Sequence, residues 1–203
     1  MDFEMFNFFK KKKAKDASSP FDTRPAPVST MVSKPMHALN KMTGAELAEE
    51  GLRQIAVAIK NNAIKIEPGR VYPDVYAHGD KPEGVARFTY VMFSPTVQNE
   101  VMARCTIIFD SVREGVATWQ VDWAVAKNYR NNNWGKTIAL KALTEFCNGM
   151  QGKLSDGFAI EAVVDEGNEA SIKIADGLIG NEDVIFNKDT GKNVHTFLRH
   201  FEL

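Results

Sequence analysis

The segment from Val121 to Met150 constrains the fold of this chain more strongly than the rest of the sequence. It combines an apolar strand, a tight polar loop and an amphipathic helix that begins at Gly135. The apolar stripe of that helix comprises Ile138, Ala142, Phe146 and Met150, flanked by Ala139, Leu143 and Cys147, and Glu145 falls outside it. Unpaired amides and the positive end of a helix dipole both attract anions. The loop before the helix is therefore a candidate phosphate site.

The composition is typical of a soluble globular protein. With 203 residues the chain has room for one domain and an added segment. Apolar residues make up 44% of it, and its net charge of −1 argues against an overall nucleic-acid-binding surface. Cys105 and Cys147 lie in apolar runs without metal-ligand spacing, so we expect two buried thiols, no metal and a reducing, cytoplasmic location. No apolar run reaches about 18 residues, so no membrane-spanning helix is expected.

The N-terminus carries a separate signal. Its aromatic and apolar residues precede the basic run Lys10 to Lys13, whereas a secretory signal has its charges first. One interpretation is a short peg within residues 1–40 that docks on a partner protein or an anionic surface. The alternative is a disordered, solubilising tail. Residues 14–40 are rich in Pro, Ser, Thr and Ala and are typical of a linker, so we predict a tail and linker over 1–42 and a domain over 43–203.

The first part of the domain is predicted to contain one helix and an antiparallel sheet. Thr43-Gly-Ala-Glu46 has the spacing of a capping box, which predicts a helix to about Asn61. Strands are predicted over Val71–Ala77, Val85–Phe93, Val101–Phe109 and Ala117–Ala126, with a turn at Glu114-Gly115. Short turns between consecutive strands favour antiparallel neighbours.

The second part alternates strands and helices. Phe158 to Val164 is an apolar strand entered through a helix, so we expect it to be parallel to its neighbour. Asn168 is a suitable N-cap for another helix, and a last strand is predicted from about Val194 to Phe201. Residues 77–84 and 180–193 are predicted to be loops. The pattern indicates an α+β fold with a mixed, mostly antiparallel sheet and helices on both faces.

Two segments resemble the GNAT superfamily of acyl-coenzyme A N-acyltransferases. The family's pyrophosphate loop follows a strand and reads Gln/Arg-x-x-Gly-x-Gly/Ala, and the corresponding residues here are Arg130-Asn131-Asn132-Asn133-Trp134-Gly135. The helix sequence Asn168-Glu-Ala-Ser-Ile-Lys-Ile-Ala-Asp-Gly-Leu178 is similar to that of the branch that acetylates N-terminal amines of ribosomal proteins. The resemblance implies a GNAT-like fold, acetyl-CoA as cofactor and an amine-bearing acceptor, without a metal.

The resemblance also implies a cofactor site. In this family the strand before the loop splays from the strand after the helix, the pantetheine arm lies in the gap, and the loop amides hold the diphosphate. The corresponding residues here are Ala124, Val125, Ala126, Arg130, Asn131, Asn132, Asn133, Trp134, Gly135, Lys136, Thr137 and Asn168. Arg130 and Lys136 add positive charge, although both are also compatible with an ordinary solvated loop. Asn133 replaces the family's first glycine, and Asn tolerates the left-handed backbone best after Gly.

The acid and base of the reaction are less well defined in the sequence. Amine acylation needs a base for the amine and an acid for the leaving thiolate. The family's catalytic Tyr corresponds to Ala175, which leaves Ser171 as the candidate hydroxyl and Asp122 as the candidate base. Ser171 is also compatible with an ordinary helix position, and Asp122 with a hydrogen-bonded structural role. An N-acetyltransferase, a catalytically inactive GNAT-fold protein that assembles through its N-terminal tail, and an unrelated α+β binding domain all remain open.

Overall fold

The fold is known from a computed structural model, which describes residues 42–154, 157–188 and 190–202. The described helices are α1 (Gly44–Lys60), α2 (Trp134–Met150) and α3 (Glu169–Leu178). The strands are β1 (Glu67–Pro68), β2 (Val75–Asp80), β3 (Arg87–Phe93), β4 (Val101–Arg113), β5 (Val116–Val125), β6 (Phe158–Asp165), β7 (Glu182–Asn187) and β8 (Lys192–Phe201). They form one sheet in the order β1-β2-β3-β4-β5-β6-β8-β7.

The sheet is mixed, and helices cover both of its faces. Among the described strands only β5 and β6 pair in parallel, and every other neighbouring pair is antiparallel. Tyr90 and Met92 belong to a large core with residues of α2 and α3, whereas Val91 between them packs with Leu52 of α1. Since side chains alternate between the faces of a strand, α1 lies on one face and α2 and α3 on the other. The predicted α+β class is confirmed.

The helix predictions are confirmed within one or two residues. Thr43 caps α1 with both hydrogen bonds of a capping box, and Asn61 ends the helix. The predicted apolar stripe of α2 is buried. Glu145 is also buried, because its carboxylate accepts hydrogen bonds from the amides of Arg70, Val71 and Tyr72 in the loop before β2. The sequence pattern did not reveal this contact.

Two segments differ from the sequence prediction. The strand expected over Val71–Ala77 begins only at Val75, because the amide of Gly69 donates to the Val75 carbonyl at 2.6 Å and closes a loop before it. The first half of the loop predicted over 77–84 belongs to strand β2, which ends at Asp80. The loop predicted over 180–193 contains β7, whose side chains are exposed on both faces and so give no alternating pattern.

The remaining predictions concern the N-terminus and the membrane. The peg, the linker and their role in assembly lie outside the described residues. Within the described ranges, none of the helices has the length and apolar character needed to cross a membrane.

Candidate functional site

A gap opens in the middle of the sheet between β5 and β6. Their parallel pairing runs from Ala117↔Phe158 to Gln120↔Glu161 and stops there. Beyond this point β5 continues to pair with β4 as far as Val125, and β6 continues to pair with β8 as far as Asp165. The two central strands therefore separate toward their C-terminal ends, as the sequence resemblance implied.

The backbone of Val125 faces this gap. The amide of Ala126 donates to the Met102 carbonyl at 2.8 Å, so the N–H group of Ala126 is directed toward β4. The N–H and C=O groups of one residue point to the same side of a strand, and this side alternates from residue to residue. The backbone groups of Ala124 therefore also face β4, and those of Trp123 and Val125 face β6. The side chain of Arg130 confirms this direction by donating to the Val125 carbonyl at 3.1 Å. Of the predicted stretch Ala124 to Ala126, only Val125 offers its backbone to a ligand in the gap.

The loop after β5 presents a row of free amides at the N-terminus of α2. Asn131 and Asn133 both have a left-handed backbone, with φ of 63° and 62°, and Asn132 between them does not. Alternation of this kind directs successive N–H groups to one concave side, which suits an anion. Among the described residues, none accepts a hydrogen bond from the amides of residues 131–136, and the next amide, that of Thr137, donates to the Asn133 carbonyl.

Gly135 and Trp134 have packing roles in this loop. A Cβ at Gly135 would lie 3.1 Å from Cδ1 of Ile174 and 3.6 Å from Cγ2 of Val125, so the glycine allows α2 to approach α3 and β5 closely. Trp134 is partly buried against the main core. Both residues therefore contribute to the packing of the N-terminus of α2 against the core.

The two predicted cationic residues differ in their surroundings. Arg130 forms an ion pair with Glu49 of α1 in addition to its bond to the Val125 carbonyl. Lys136 is exposed, and no ion pair of its ammonium group occurs within the described ranges. Lys136 is thus the freer of the two charges beside the loop amides, and Arg130 ties the loop to α1.

A cavity of about 420 Å³ lies at the gap, under the first half of α1. It brings together the predicted site residues Asp122, Asn168 and Ser171 with Gln120 and Asp165. The side chain of Asn168 accepts a hydrogen bond from the Ser171 amide at 3.3 Å and so caps α3. Ser171 lines the same cavity as Asp122. Ala175, one turn further along α3, is fully buried.

Asp122 is held by a buried arginine. The guanidinium of Arg104 donates to the carboxylate of Asp122, to Oγ1 of Thr106 and, at 3.2 Å, to the carbonyl of Ala48. The Arg104 side chain is only 8% exposed, whereas that of Asp122 is 48% exposed toward the cavity. Desolvation by the surrounding walls raises the pKa of Asp122, and the positive charge of Arg104 opposes that rise.

Helix α1 is attached across the gap by polar contacts. The amide of Gly44 donates to Oδ2 of Asp165 on β6 at 2.9 Å. Gly51 rests directly on the Arg104 guanidinium, since a Cβ there would lie 2.9 Å from Cζ. Together with the pair between Glu49 and Arg130, these contacts make α1 the roof of the cavity.

Sequence reasoning missed Arg104, although a signal was present. It is the one charged residue in the otherwise largely apolar strand predicted over Val101–Phe109. A charge in such a run requires a partner. In the described part of the chain no cluster of three or more His, Cys, Asp or Glu residues is arranged to hold a metal.

Comparison with known proteins gives structural similarities over a little more than half of the chain. No protein-family model and no curated protein sequence matches it. Similar solved structures include a GNAT-family acetyltransferase from Streptococcus pneumoniae, with 15% identity, 57% of this chain and 66% of that chain covered and a TM-score of 0.43. A putative GNAT-family acetyltransferase from Bordetella pertussis has 18% identity, with 56% and 65% covered and a TM-score of 0.42.

A third similar structure is Arabidopsis thaliana NAA60 in complex with a bisubstrate analogue, at 12% identity, with 62% of this chain and 79% of that chain covered and a TM-score of 0.44. The chain spans just under two thirds of the length of the first two proteins. Those two carry the name of the superfamily that the sequence resembles.

Proposed function

We propose that the chain is an acetyl-CoA-dependent N-acetyltransferase that acts on a primary amine of a peptide or small molecule. The observation that supports this most directly is the gap between β5 and β6, which opens beside the free amides of residues 131–136. A separated strand pair next to an anion-binding helix N-terminus suits a long ligand with peptide-like amides and phosphates. A cytoplasmic location belongs to the same proposal.

The residues at the gap fit acetyl-CoA. The backbone of Val125 faces the gap, the amides of residues 131–136 are free for the diphosphate, and Lys136 adds an exposed positive charge. Arg130 can bind a phosphate beside the same loop when its ion pair with Glu49 opens. When bound, acetyl-CoA supplies an activated thioester.

The cavity residues supply the remaining chemistry. Asp122 is partly open to the cavity, and its position allows it to accept the proton that an ammonium must lose before acylation. A raised pKa brings a carboxylate closer to the pH at which it exchanges protons efficiently. Ser171 lines the same cavity and carries the hydroxyl assigned to proton donation. The carboxylates of Asp122 and Asp165 favour a cationic acceptor over an anionic one.

A second candidate function is a catalytically inactive GNAT-fold module that assembles through its N-terminal tail. It is favoured by the ion pair between Arg104 and Asp122, which engages the candidate base, and by the contact of Arg130 with the Val125 carbonyl. The division into a tail over 1–42 and a domain over 43–203 is part of this proposal, as is a protein partner for residues 1–40.

The deciding experiment is a calorimetric titration of the full chain with coenzyme A, on the parent and on two variants at one position. Asn133→Gly accepts the left-handed backbone and removes the side chain beside the loop amides, so binding is expected to be equal or tighter. Asn133→Asp keeps the size and remains a favourable residue at a helix N-terminus, but it places a negative charge beside the diphosphate. We expect it to weaken binding about tenfold.

The outcomes separate the two candidates. Absence of coenzyme A binding by the parent and by Asn133→Gly contradicts the enzyme proposal. Equal affinities of the glycine and aspartate variants place the diphosphate elsewhere. If coenzyme A binds as expected, an assay of thiol release from acetyl-CoA with a panel of primary amines tests catalysis. Binding without thiol release from any amine supports the inactive module.

A further inference from the structure

Strand β7 is an exposed apolar edge of the sheet. The exposed fractions of Val184, Ile185 and Phe186, three consecutive residues of a regular strand, are 52%, 48% and 59%. Edge strands of monomeric proteins are usually short, charged, bulged or interrupted by proline. The opposite edge follows this rule, because β1 has two residues and one of them is Pro68. β7 pairs with β8 without a bulge and contains no proline, and its two charged residues, Glu182 and Asp183, lie at one end and leave the apolar centre unprotected.

The sequence of β7 and the residue after it is complementary to itself in the antiparallel direction. The strand begins with Glu182 and Asp183, continues through its apolar centre and is followed by Lys188. A two-fold axis perpendicular to the sheet keeps each side chain on its own face, so it pairs only positions separated by an even number of residues. With the axis at Ile185, Glu182 lies opposite Lys188 and Val184 opposite Phe186.

Other registers are less favourable. An axis at Phe186 places Val184 opposite Lys188, and an axis at Val184 places Glu182 opposite Phe186. Both pair a charged side chain with an apolar one. The register at Ile185 matches every apolar residue of the strand with an apolar residue and the acidic end with the basic end.

We propose that β7 pairs antiparallel with β7 of a second copy of this chain, with Ile185 on the two-fold axis. The dimer extends the sheet across both copies. Val184 and Phe186 of the two copies form an apolar cluster on one face, and the two Ile185 side chains meet on the other. The proposal does not depend on coenzyme A binding, because β7 is an edge strand that β6 and β8 separate from β5.

Analytical ultracentrifugation of the full chain over a wide concentration range tests the dimer. Ile185→Lys places two like charges opposite each other and is expected to weaken dimerisation about tenfold or more. Val112→Lys, at a 58% exposed position on β4, is the matched control and is expected to behave as the parent. Circular dichroism confirms that both variants are folded. A parent that is monomeric throughout, or a dimer that persists unchanged in Ile185→Lys, overturns the proposal.

Cross-linking with oxidised glutathione tests the register. Ile185→Cys places two thiols opposite each other at a Cβ separation of about 4.5 Å, at the upper end of the range that a disulfide spans. Val184→Cys lies opposite Phe186 instead and is expected to cross-link much more slowly. The parent, with Cys105 buried and Cys147 half-buried, gives the background. Equal rates for the two variants contradict the register, and no cross-linking above background contradicts the paired edge.

Discussion

At the scale of single residues, Arg104 organises the site more than any residue of the predicted motif. Its guanidinium is buried beneath Gly51 and donates to groups on α1, β4 and β5. A buried cation needs its counter-charge, because desolvation makes an unpaired charge costly. Asp122 therefore has a structural role as well as its proposed catalytic one.

The pair predicts an unequal effect of removing two superficially similar carboxylates. Asp122→Asn leaves Arg104 without its counter-ion and should lower the free energy of unfolding by about 2 kcal/mol. This loss is smaller than that for a fully buried ion pair, because the Asp122 side chain is half exposed. Asp110→Asn, which disturbs an exposed pair with Arg113, should cost less than about 1 kcal/mol. Urea unfolding of both variants measures the difference. Equal losses contradict the structural role of Asp122.

Cys105 predicts a pH dependence of stability. Its thiol is fully buried, and burial raises its pKa. In the unfolded chain a cysteine ionises near pH of about 8.5, so the native state retains a proton that the unfolded state loses. The free energy of unfolding is therefore expected to decrease as the pH rises above this value. Urea midpoints at increasing pH measure the decline, and Cys105→Ala should make it shallower. An unchanged slope in that variant contradicts the assignment.

At the scale of elements, Glu145 in the C-terminal half of α2 fixes the loop that leads into the sheet. Its carboxylate accepts three backbone hydrogen bonds, at 3.0, 2.8 and 2.6 Å, from Arg70, Val71 and Tyr72. Gly69 is required beside it, since a Cβ there would lie 2.4 Å from Oε1 of Glu145. The contact fixes the loop that precedes β2 and delays the start of that strand to Val75.

Replacing this carboxylate is expected to destabilise the fold. In Glu145→Gln an amide group replaces one acceptor oxygen and faces backbone donors, so the free energy of unfolding should fall by about 2 kcal/mol. Asp176→Asn, at an exposed position of α3, is the matched control and should change it by less than about 0.5 kcal/mol. Thermal or urea unfolding measures both. If the two variants lose the same stability, the three hydrogen bonds contribute little.

The elements show which features the sequence could predict. The capping box at Thr43 and the apolar stripe of α2 are local patterns, and both helices were predicted closely. The gap between β5 and β6 was anticipated only through the family resemblance. β7 has no alternation. The counter-ion of Arg104 lies 18 residues away in the chain, and the three amides that bind Glu145 lie still further away, so no local pattern reveals them.

At the scale of the whole molecule, the region that begins at Thr43 contains its own stabilising contacts. α1 is capped by its own residues and attached to β6 through Gly44 and Asp165. Among the described residues, the helices and strands of this region form two apolar cores. We therefore propose that this region folds as an independent domain.

Truncation tests this independence. Deletion of residues 1–40 should leave a protein that unfolds cooperatively at nearly the parent melting temperature, measured by calorimetry. Deletion of residues 1–46 removes the capping box and the bond to Asp165, so its melting temperature should fall by several degrees, as expected for a loss of about 1 kcal/mol. A shorter chain that loses cooperative unfolding after the first deletion contradicts the proposed domain boundary.

The separation of β5 from β6 also has a consequence for amide hydrogen exchange. A central strand normally contains the slowest exchanging amides of a sheet. The N–H groups of Trp123 and Val125 face the gap, whereas those of Ala124 and Ala126 face β4. Fast and slow exchanging amides should therefore alternate along these consecutive residues. A ligand that pairs with the exposed edge of β5 should slow exchange at Trp123 and Val125 selectively. The exchange rates of these two amides would then report whether a ligand occupies the gap.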